Sequence, residues 1–470
     1  MAIILKFCGG AGTVTGSMHL ISADKTKILI DVGLFQGRRD EFYTVNSTFP
    51  FQPQSLDCCL ISHAHIDHSG NFPTLVKQGF RGKAYLTPST RDLCNYMLPD
   101  SGHIQEEDTK YVNKIHRRKG LPARQPLYDQ KDAKRALKYF RPLDYHRKLK
   151  IAANAEATFF DAGHILGSSV PTIDISTKKG TTRIAYAVDL GRANLPYLRN
   201  PEIPKNIDYL IIESTYGART RPDIRTVEDR LSRAVNKTVK RGGKVIIPSF
   251  ALERSQEVLY FLSRLLRKKR IKNIPIFVDS PLAVNITQVF QSNWEYFDRE
   301  TRELFKKEID PLSQKNITYV SSVNQSKKLN DQTGPMIIIS AAGTCEHGRI
   351  LHHLKNNIEN PYNTIVIVGY MPKNTLGRKI FERIPEVNIF GRPYQLNAQV
   401  EVIDAFSAHA DKNDLVGYVK GCNHRLKKVF IVHGEPAQSE QLRQSIKSLN
   451  INVSLPKKNE VVYLAAAANK

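Results

Sequence analysis

The sequence predicts an α/β protein in which one layered domain is interrupted by a second α/β domain. Three observations carry this expectation. At 470 residues the chain exceeds what one ordinary core holds, so two domains are expected. Both ends of the chain alternate short apolar strands with turns rich in glycine and aspartate. Between them, residues 218–390 alternate helices and buried strands in the manner of a parallel sheet. The expected organisation is 1–217 as the first part of the outer domain, 218–390 as the insert, and 391–470 as the C-terminal part of the outer domain.

In chain order, strands are expected over 3–7, 17–22, 27–31 and 57–62, separated by turns such as Gly9-Gly10-Ala11-Gly12. Helices follow at 72–78 and at 89–97, the latter opened by Thr87-Pro88. The polar stretch 101–118 runs into His116-Arg117-Arg118-Lys119, and 130–140 carries Lys131, Lys134, Arg135 and Lys138. These bases read either as a solvated helix face or as a track for a polyanion backbone. Strands are expected again over 157–161, 170–176, 182–189 and 209–212.

In the insert, Thr226 with Asp229 three residues on resembles a capping box that opens a helix ending at Gly242-Gly243. A buried strand, 244–248, precedes a helix over 255–270 with Val258, Leu259, Leu262, Leu265 and Leu266 on one stripe. Further strands are expected at 274–278, 336–340 and 364–369, with a helix at 349–358. Two turns, Ala341-Ala342-Gly343-Thr344 and Asn374-Thr375-Leu376-Gly377-Arg378, leave backbone N–H groups either for an anion or for a plain turn. The tail adds strands at 400–403, 429–432 and 461–464 and an amphipathic helix at 437–449.

Composition narrows the class. No apolar run approaches the ~18–20 residues that cross a bilayer, so no membrane is expected. The start, Met1-Ala2-Ile3-Ile4-Leu5-Lys6, reads as a first strand without a basic n-region or cleavage pattern. The six cysteines form no Cys-x-x-Cys pair, which suits reduced thiols in a cytoplasmic protein. The net charge of +24, from 69 basic and 45 acidic residues, attracts polyanions, nucleic acid above all. A ribosomal or membrane-surface protein would share that bias.

The densest chemistry lies in Ser62-His63-Ala64-His65-Ile66-Asp67-His68-Ser69-Gly70, directly after a strand. His63 and His65 point the same way on an extended backbone, while Asp67 and His68 turn the corner. Imidazole with carboxylate suits Zn²⁺ best, with Mn²⁺ or Fe²⁺ as alternatives. Other strands end at Asp31, His164, Asp189, Glu213 and His433, and His409 lies just beyond another. Asp31 reads equally as a turn former or as a neighbour of the metal site. Counting strand-end ligands gives His63, His65 and His164 as one set and Asp67, His68 and His433 as a second, with Asp189 left to bridge. That stoichiometry suits a two-metal hydrolytic site in which a shared water or hydroxide attacks a phosphoryl group. Glu213 beside His409 is a plausible device for delivering a proton to a leaving oxygen.

At this point a family resemblance becomes specific. His63-Ala64-His65-Ile66-Asp67-His68, with Asp31 upstream and His164 and Asp189 downstream, resembles the first motifs of the metallo-β-lactamase fold. Glu213-Ser214-Thr215-Tyr216-Gly217, Phe406-Ser407-Ala408-His409-Ala410-Asp411 and Val432-His433-Gly434-Glu435 resemble motifs A, B and C of the β-CASP subgroup. Pro248-Ser249-Phe250-Ala251-Leu252-Glu253-Arg254-Ser255, Asp279-Ser280-Pro281 and Thr375-Leu376-Gly377-Arg378 resemble segments of its cap. That subgroup includes the mRNA 3′-end cleavage endonuclease, the RNase J enzymes and a DNA-repair branch.

The resemblance implies an αββα sandwich interrupted by a β-CASP α/β cap, with RNA threading between them. It implies two Zn²⁺ per chain, or Mn²⁺, on His63, His65, His164, Asp67, His68, His433 and Asp189. Asp31 would orient a ligand from behind, and Asp67, Glu213 and His409 would be catalytic. Arg254, Ser255 and Arg378 would contact RNA. A histidine at 433 goes with RNA-processing members, where the DNA-repair branch usually has valine. Cys345-Glu346-His347 departs from the small or polar residues usual there. The chain is expected to lack the N-terminal RNA-binding domains of archaeal relatives and the long C-terminal extensions of others.

The expected function is therefore a zinc-dependent ribonuclease cutting single-stranded RNA, endonucleolytically, with 5′→3′ exonuclease action as the alternative. A homodimer is allowed. A catalytically dead scaffold would lack several of the seven ligands, all present here. A small-molecule hydrolase on the same sandwich would explain neither the insert nor the charge.

Overall fold

In the strand Ile3–Gly9, Ile3, Leu5 and Phe7 are buried while Ile4 and Lys6 are half-buried, the period-two pattern of a strand with one face on a core. It pairs antiparallel with Val461–Leu464 and with Met18–Ala23. Thr26–Ile30, Cys58–Leu60, Lys83–Leu86 and Phe140–Pro142 complete a seven-stranded sheet. A second seven-stranded sheet runs in the order Val453–Ser454, Lys428–Ile431, Tyr209–Ile212, Gly180–Ala187, Ser169–Thr177, Ala155–Asp161, Leu149–Ala152. Ile3, Leu5, Phe7 and Leu60 from the first sheet share one core with Phe159, Ile184, Ile211 and Phe430 from the second. Each such side chain contributes about 1.5–3 kcal/mol on full burial, which is what holds the sheets face to face.

This computed structural model describes residues 2–422 and 424–465, and the chain divides into two compact units, Met1–Thr220 with Ala408–Lys470, and Arg221–Ser407. In the first unit, helices Lys412–Cys422 and Pro436–Lys447 bring Leu415, Val419, Leu442 and Ile446 into a cluster with Ala187, Leu210, Ile212 and Ile431 of the second sheet. Beside the first sheet, Phe72 at the start of the helix Phe72–Lys77 has its ring 5.0 Å from that of Phe140. The layers are thus helix, sheet, sheet, helix, the αββα arrangement that the motifs implied.

Topology sends the strand ends to common edges. Thr26–Ile30, Cys58–Leu60 and Lys83–Leu86 run parallel. In the second sheet Gly180–Ala187, Tyr209–Ile212 and Lys428–Ile431 run parallel, and Ala155–Asp161, two antiparallel steps away, runs with them. The loops that carry Asp31, the histidine run, His164, Asp189, Glu213 and His433 all leave the C-terminal ends of these strands.

Two elements differ from expectation. The helix expected over 89–97 is longer, and runs Pro88–Arg118 through Pro99 and the polar stretch, capped by Thr87, whose hydroxyl accepts from the Thr90 N–H. Leu98, Ser101, Gly102 and Gln105 are buried around the proline, so packing holds the helix across the lost hydrogen bond. The strand Gln399–Val402 was expected in the outer domain, but it pairs in parallel with Thr364–Ile367, so the second boundary falls at Ser407 rather than 390. As the half-exposed edge of its sheet it alternates polar and apolar residues, which reads like an outer-domain strand.

The second unit holds a six-stranded sheet in the order Ile317–Tyr319, Ile276–Asp279, Ile337–Ser340, Val245–Pro248, Thr364–Ile367, Gln399–Val402, parallel throughout. Its inner strands are continuous buried runs such as Val245-Ile246-Ile247 and Ile337-Ile338-Ile339, as covering on both faces requires. Asp279, fully buried at a strand end, pairs with Arg349 at 2.7 Å and His353 at 2.6 Å, and takes a hydrogen bond from Ser326. Among the described residues no helix is long and apolar enough to cross a membrane.

Asp279→Ala removes the carboxylate that the buried His353 imidazole and the half-buried Arg349 guanidinium share. It is expected to destabilise the protein by about 3–5 kcal/mol in urea unfolding. A stability loss below 1 kcal/mol would mean that the network is dispensable.

Candidate metal centre

Three of the residues at these strand ends hold a left-handed backbone: Asp31 at φ 56°, Asp189 at 59° and His433 at 46°. For residues with a Cβ this costs about 1–2 kcal/mol each, and strain of this kind collects where a fold must aim a side chain. Backbone hydrogen bonds lace the histidine loop to the loop after Asp31. Val32 N–H donates to His68 O at 2.8 Å, Leu34 N–H to Ile66 O at 2.9 Å and Ser17 N–H to Asp67 O at 2.9 Å. Gly33 sits where this lacing is tightest, since a Cβ there would stand 1.6 Å from the Asp67 carbonyl oxygen.

The expected ligands converge in two sets. His63, His65, His164 and Asp189 each offer an atom within 4.8 Å of the others, and so do Asp67, His68 and His433. In the first set, His63 Nε2 lies 3.0 Å from His65 Nδ1, and His164 Nε2 lies 3.4 Å from it. Atoms held tetrahedrally about 2.0–2.1 Å from one centre are about 3.3 Å apart, so these spacings fit a single ion. Asp189 Oδ2 is 3.4 Å from both His63 Nε2 and His164 Nε2, and 3.5 Å from His68 Nε2. One carboxylate oxygen therefore faces both sets. His433 Nε2 is 3.4 Å from Asp67 Oδ2, and its Nδ1 is 3.0 Å from Asp189 Oδ1. A third grouping, Asp189, Glu213 and His433, overlaps these.

The buried polar atoms also fit a cation. Apart from the ion-pair contacts just given, His68 Nε2, His433 Nε2 and Asp189 Oδ1 are buried without a hydrogen-bond partner. For His68 the reason is visible: its Nδ1 lies 2.7 Å from Asp31 Oδ2, which leaves Nε2 for an ion. Asp31, itself fully buried, also accepts from Ser62 N–H at 2.7 Å, the Ser62 hydroxyl at 2.8 Å and the Tyr186 hydroxyl at 2.8 Å. Ser62 Oγ is also 3.0 Å from His63 Nδ1. Its one proton goes to Asp31, so it accepts from His63, whose Nε2 is then free as a ligand. Asp31 thus stands behind the site, touching His68 directly and His63 through Ser62.

Charge follows the same division. Burial lowers the pKa of His63 and His164 and brings His65 down to about 3, so the three imidazoles of the first set are neutral, the state in which imidazole binds metal. Burial also opposes charge on His68 and His433. Asp189, with Asp31 and Asp67 for His68 and with Asp67 for His433, outweighs it, raising His68 well above its usual value and His433 to about 9. Burial opposes ionisation of Asp67, but His68 and His433 hold its carboxyl below the usual range. The carboxylates of this half therefore call for positive charge, which protons or metal ions can supply.

Glu213 is buried, accepts from the Leu190 N–H at 2.6 Å and lies 3.3 Å from His409 Nδ1. Burial works against a charged His409, yet Glu213 and Asp189 raise its pKa to about 9. Its ring lies 4.5 Å from that of His164.

The residues expected to contact RNA lie in the second unit with internal partners. Ser255 is buried and donates to the Phe250 carbonyl at 2.7 Å. Arg254 pairs with Glu257 and donates to the Phe406 carbonyl. Arg378 pairs with Glu382 at 2.7 Å and lies over the Phe381 ring. At the second glycine turn the Leu376 N–H donates to Glu346 Oε1 at 2.5 Å and the Arg378 N–H to the Thr375 hydroxyl, so the turn is satisfied from within. Sequence reasoning assigned nothing to Tyr186 or Ser62. The only signal was a tyrosine and a serine at otherwise apolar strand positions.

Three domain families match the chain: a metallo-β-lactamase superfamily domain over residues 20–203, a Beta-Casp domain over 255–380, and a Zn-dependent metallo-hydrolase RNA specificity domain over 393–456. The chain is 34% identical over 455 residues to Ribonuclease TTHA0252 of Thermus thermophilus, covering 97% of this chain and 98% of that one. It is 31% identical over 470 residues to the transcription termination factor FttA of Methanosarcina mazei, covering 97% and 71%. It is 30% identical over 467 residues to an RNase J-like protein of Methanocaldococcus jannaschii, covering 98% and 99%. A solved structure of a protein of unknown function from Enterococcus faecalis aligns over 99% of this chain and 100% of its own, with a TM-score of 0.56 at 12% identity, a likeness of fold.

Asparagine tolerates the left-handed backbone of Asp31 but removes its charge. Asp31→Asn is expected to weaken divalent-metal binding roughly 10- to 100-fold in competition with a chromophoric chelator. Unchanged affinity would remove Asp31 from behind the site. Gly33→Ala, which drives a methyl group into the Asp67 carbonyl, is expected to cost at least about 1–3 kcal/mol of stability. An unchanged melting temperature would contradict the lacing described.

Proposed function

The chain belongs to the β-CASP family of the metallo-β-lactamase superfamily and is a metal-dependent hydrolase of RNA, and we propose from this that it cuts single-stranded RNA at internal phosphodiester bonds with two zinc ions. The observation that carries the reading is the position of Asp189 Oδ2, 3.4–3.5 Å from imidazoles of both ligand sets. His63, His65 and His164 would hold one ion, Asp67, His68 and His433 the other, and Asp189 both. Manganese would fit the same donors. Two bound divalent ions supply a water of lowered pKa and neutralise charge building on a phosphoryl group.

The chain's own residues supply the rest. Asp31 and Ser62 fix the tautomers of His68 and His63, so each presents Nε2. Asp67, with its side chain 21% exposed, can hold and orient a water by hydrogen bonding. His409 turns Nδ1 to Glu213, which leaves Nε2 to give a proton to the leaving 3′ oxygen. Buried Glu213 keeps that imidazole charged and oriented. The RNA reading rests on the relatives named as ribonucleases and on the matched RNA specificity domain. The net charge of +24 agrees with it. Six buried, unpaired cysteines suit the reducing cytoplasm.

Chelation and His65→Ala are each expected to abolish cutting of end-labelled single-stranded RNA, with zinc restoring only the wild type. Internal products from both 5′-hydroxyl and 5′-monophosphate RNA are expected; mononucleotides released only from the monophosphate would replace this reading with a 5′→3′ exonuclease. Glu213→Gln and His409→Ala are expected to lower kcat about 10²- to 10⁴-fold at unchanged metal content. A change in KM alone would remove them from the chemical step.

A further inference from the structure

Phe250 is an aromatic side chain that the fold holds firmly and leaves uncovered. It lies two residues beyond the strand Val245–Pro248, which is flanked in its sheet by Ile337–Ser340 and Thr364–Ile367. The backbone at this point is clamped, because the Phe250 carbonyl accepts from the Ser255 hydroxyl at 2.7 Å and from the Ser255 N–H at 3.2 Å. The ring rests on the glycine that follows one flanking strand. A Cβ on Gly343 would stand 3.0 and 3.1 Å from its Cδ2 and Cε2, and a Cβ on Gly369, after the other strand, would lie 3.8 Å from Cε2. Despite this seat Phe250 is 47% exposed, and Tyr370, next to Gly369, is 65% exposed. A phenyl ring that served only to pack would lower its free energy by turning inward. Here backbone hydrogen bonds and a glycine floor fix it at the C-terminal edge of an open parallel sheet, where such folds receive ligands.

We propose that Phe250 is a stacking platform for the bases of single-stranded RNA, and that Ser255 and Gly343 are its positioning residues. The proposal rests on the RNA reading above. A base offers a flat π-face to the ring whatever its identity, so contact here tolerates sequence. The strongly positive chain supplies the complementary attraction for the phosphate backbone. Ser255, whose hydroxyl is engaged internally, then acts on RNA through Phe250 rather than by touching it.

The test is binding of a fluorescent oligouridine RNA, and of the same RNA with its central bases replaced by abasic residues, to the full chain carrying His65→Ala to prevent cleavage. Adding Phe250→Ala is expected to weaken binding of the oligouridine roughly 10-fold or more, leave the abasic RNA unchanged, and leave the salt dependence unaltered. Phe250→Trp should restore binding, and Gly343→Ala should weaken it by displacing the ring. Equal binding of oligouridine with and without Phe250→Ala, while the parent binds tightly, would overturn the platform and leave the RNA reading standing. Equal losses on both RNAs would also overturn it, because the ring would then be supporting its loop rather than a base. A parent chain that binds neither RNA, with wild type that cuts none, would overturn the RNA reading itself.

Discussion

The Asp31 carboxylate sits in a fully buried pocket and is held by Ser62 N–H and Oγ, His68 Nδ1 and the Tyr186 hydroxyl, all at 2.7–2.8 Å. An ion so placed is tolerated only because donors surround it. The donors come from both sheets: Ser62 and His68 follow Cys58–Leu60 of the first, and Tyr186 lies in Gly180–Ala187 of the second. Its satisfaction therefore depends on the two sheets being packed, and the aim of His68 and His63 depends on it.

Asp189 extends that constraint. Its left-handed backbone at φ 59° turns the carboxylate back over the strand ends, where one oxygen meets three imidazoles. His433, also left-handed, closes the second set from a strand near the end of the sequence, and its N–H donates to the Gly10 carbonyl at 2.6 Å. The site is therefore built from both ends of the chain, and neither end alone contains it. That explains how a large insert can be accommodated. The insert leaves after Tyr209–Ile212 and the chain returns to Lys428–Ile431, and these two strands are hydrogen-bonded neighbours.

Much of the layered fold and all seven candidate ligands were legible in the sequence, because histidine and aspartate directly after a buried strand have few structural reasons to be there. What supports them was not. Ser62, Tyr186 and Gly33 matter through partners far away in sequence, and a serine, a tyrosine or a glycine carries no mark of such a partner. The full length of the helix Pro88–Arg118 was hidden because local propensity breaks at Pro99 while tertiary packing does not. The strand Gln399–Val402 was misplaced because an edge strand of a parallel sheet shows the alternation of an antiparallel one. Ser255 drew attention through its motif, but its hydroxyl belongs to the Phe250 loop.

The central claim is that His63, His65 and His164 on one side and Asp67, His68 and His433 on the other form two metal sites sharing Asp189. The most direct measurement is the metal content of the purified chain by inductively coupled plasma mass spectrometry, after equilibration with zinc and removal of loosely held ions. The account predicts about two ions per wild-type chain, falling to about one in His433→Ala, which removes a ligand from the second set alone. One ion in the wild type, or two undiminished in His433→Ala, would contradict it.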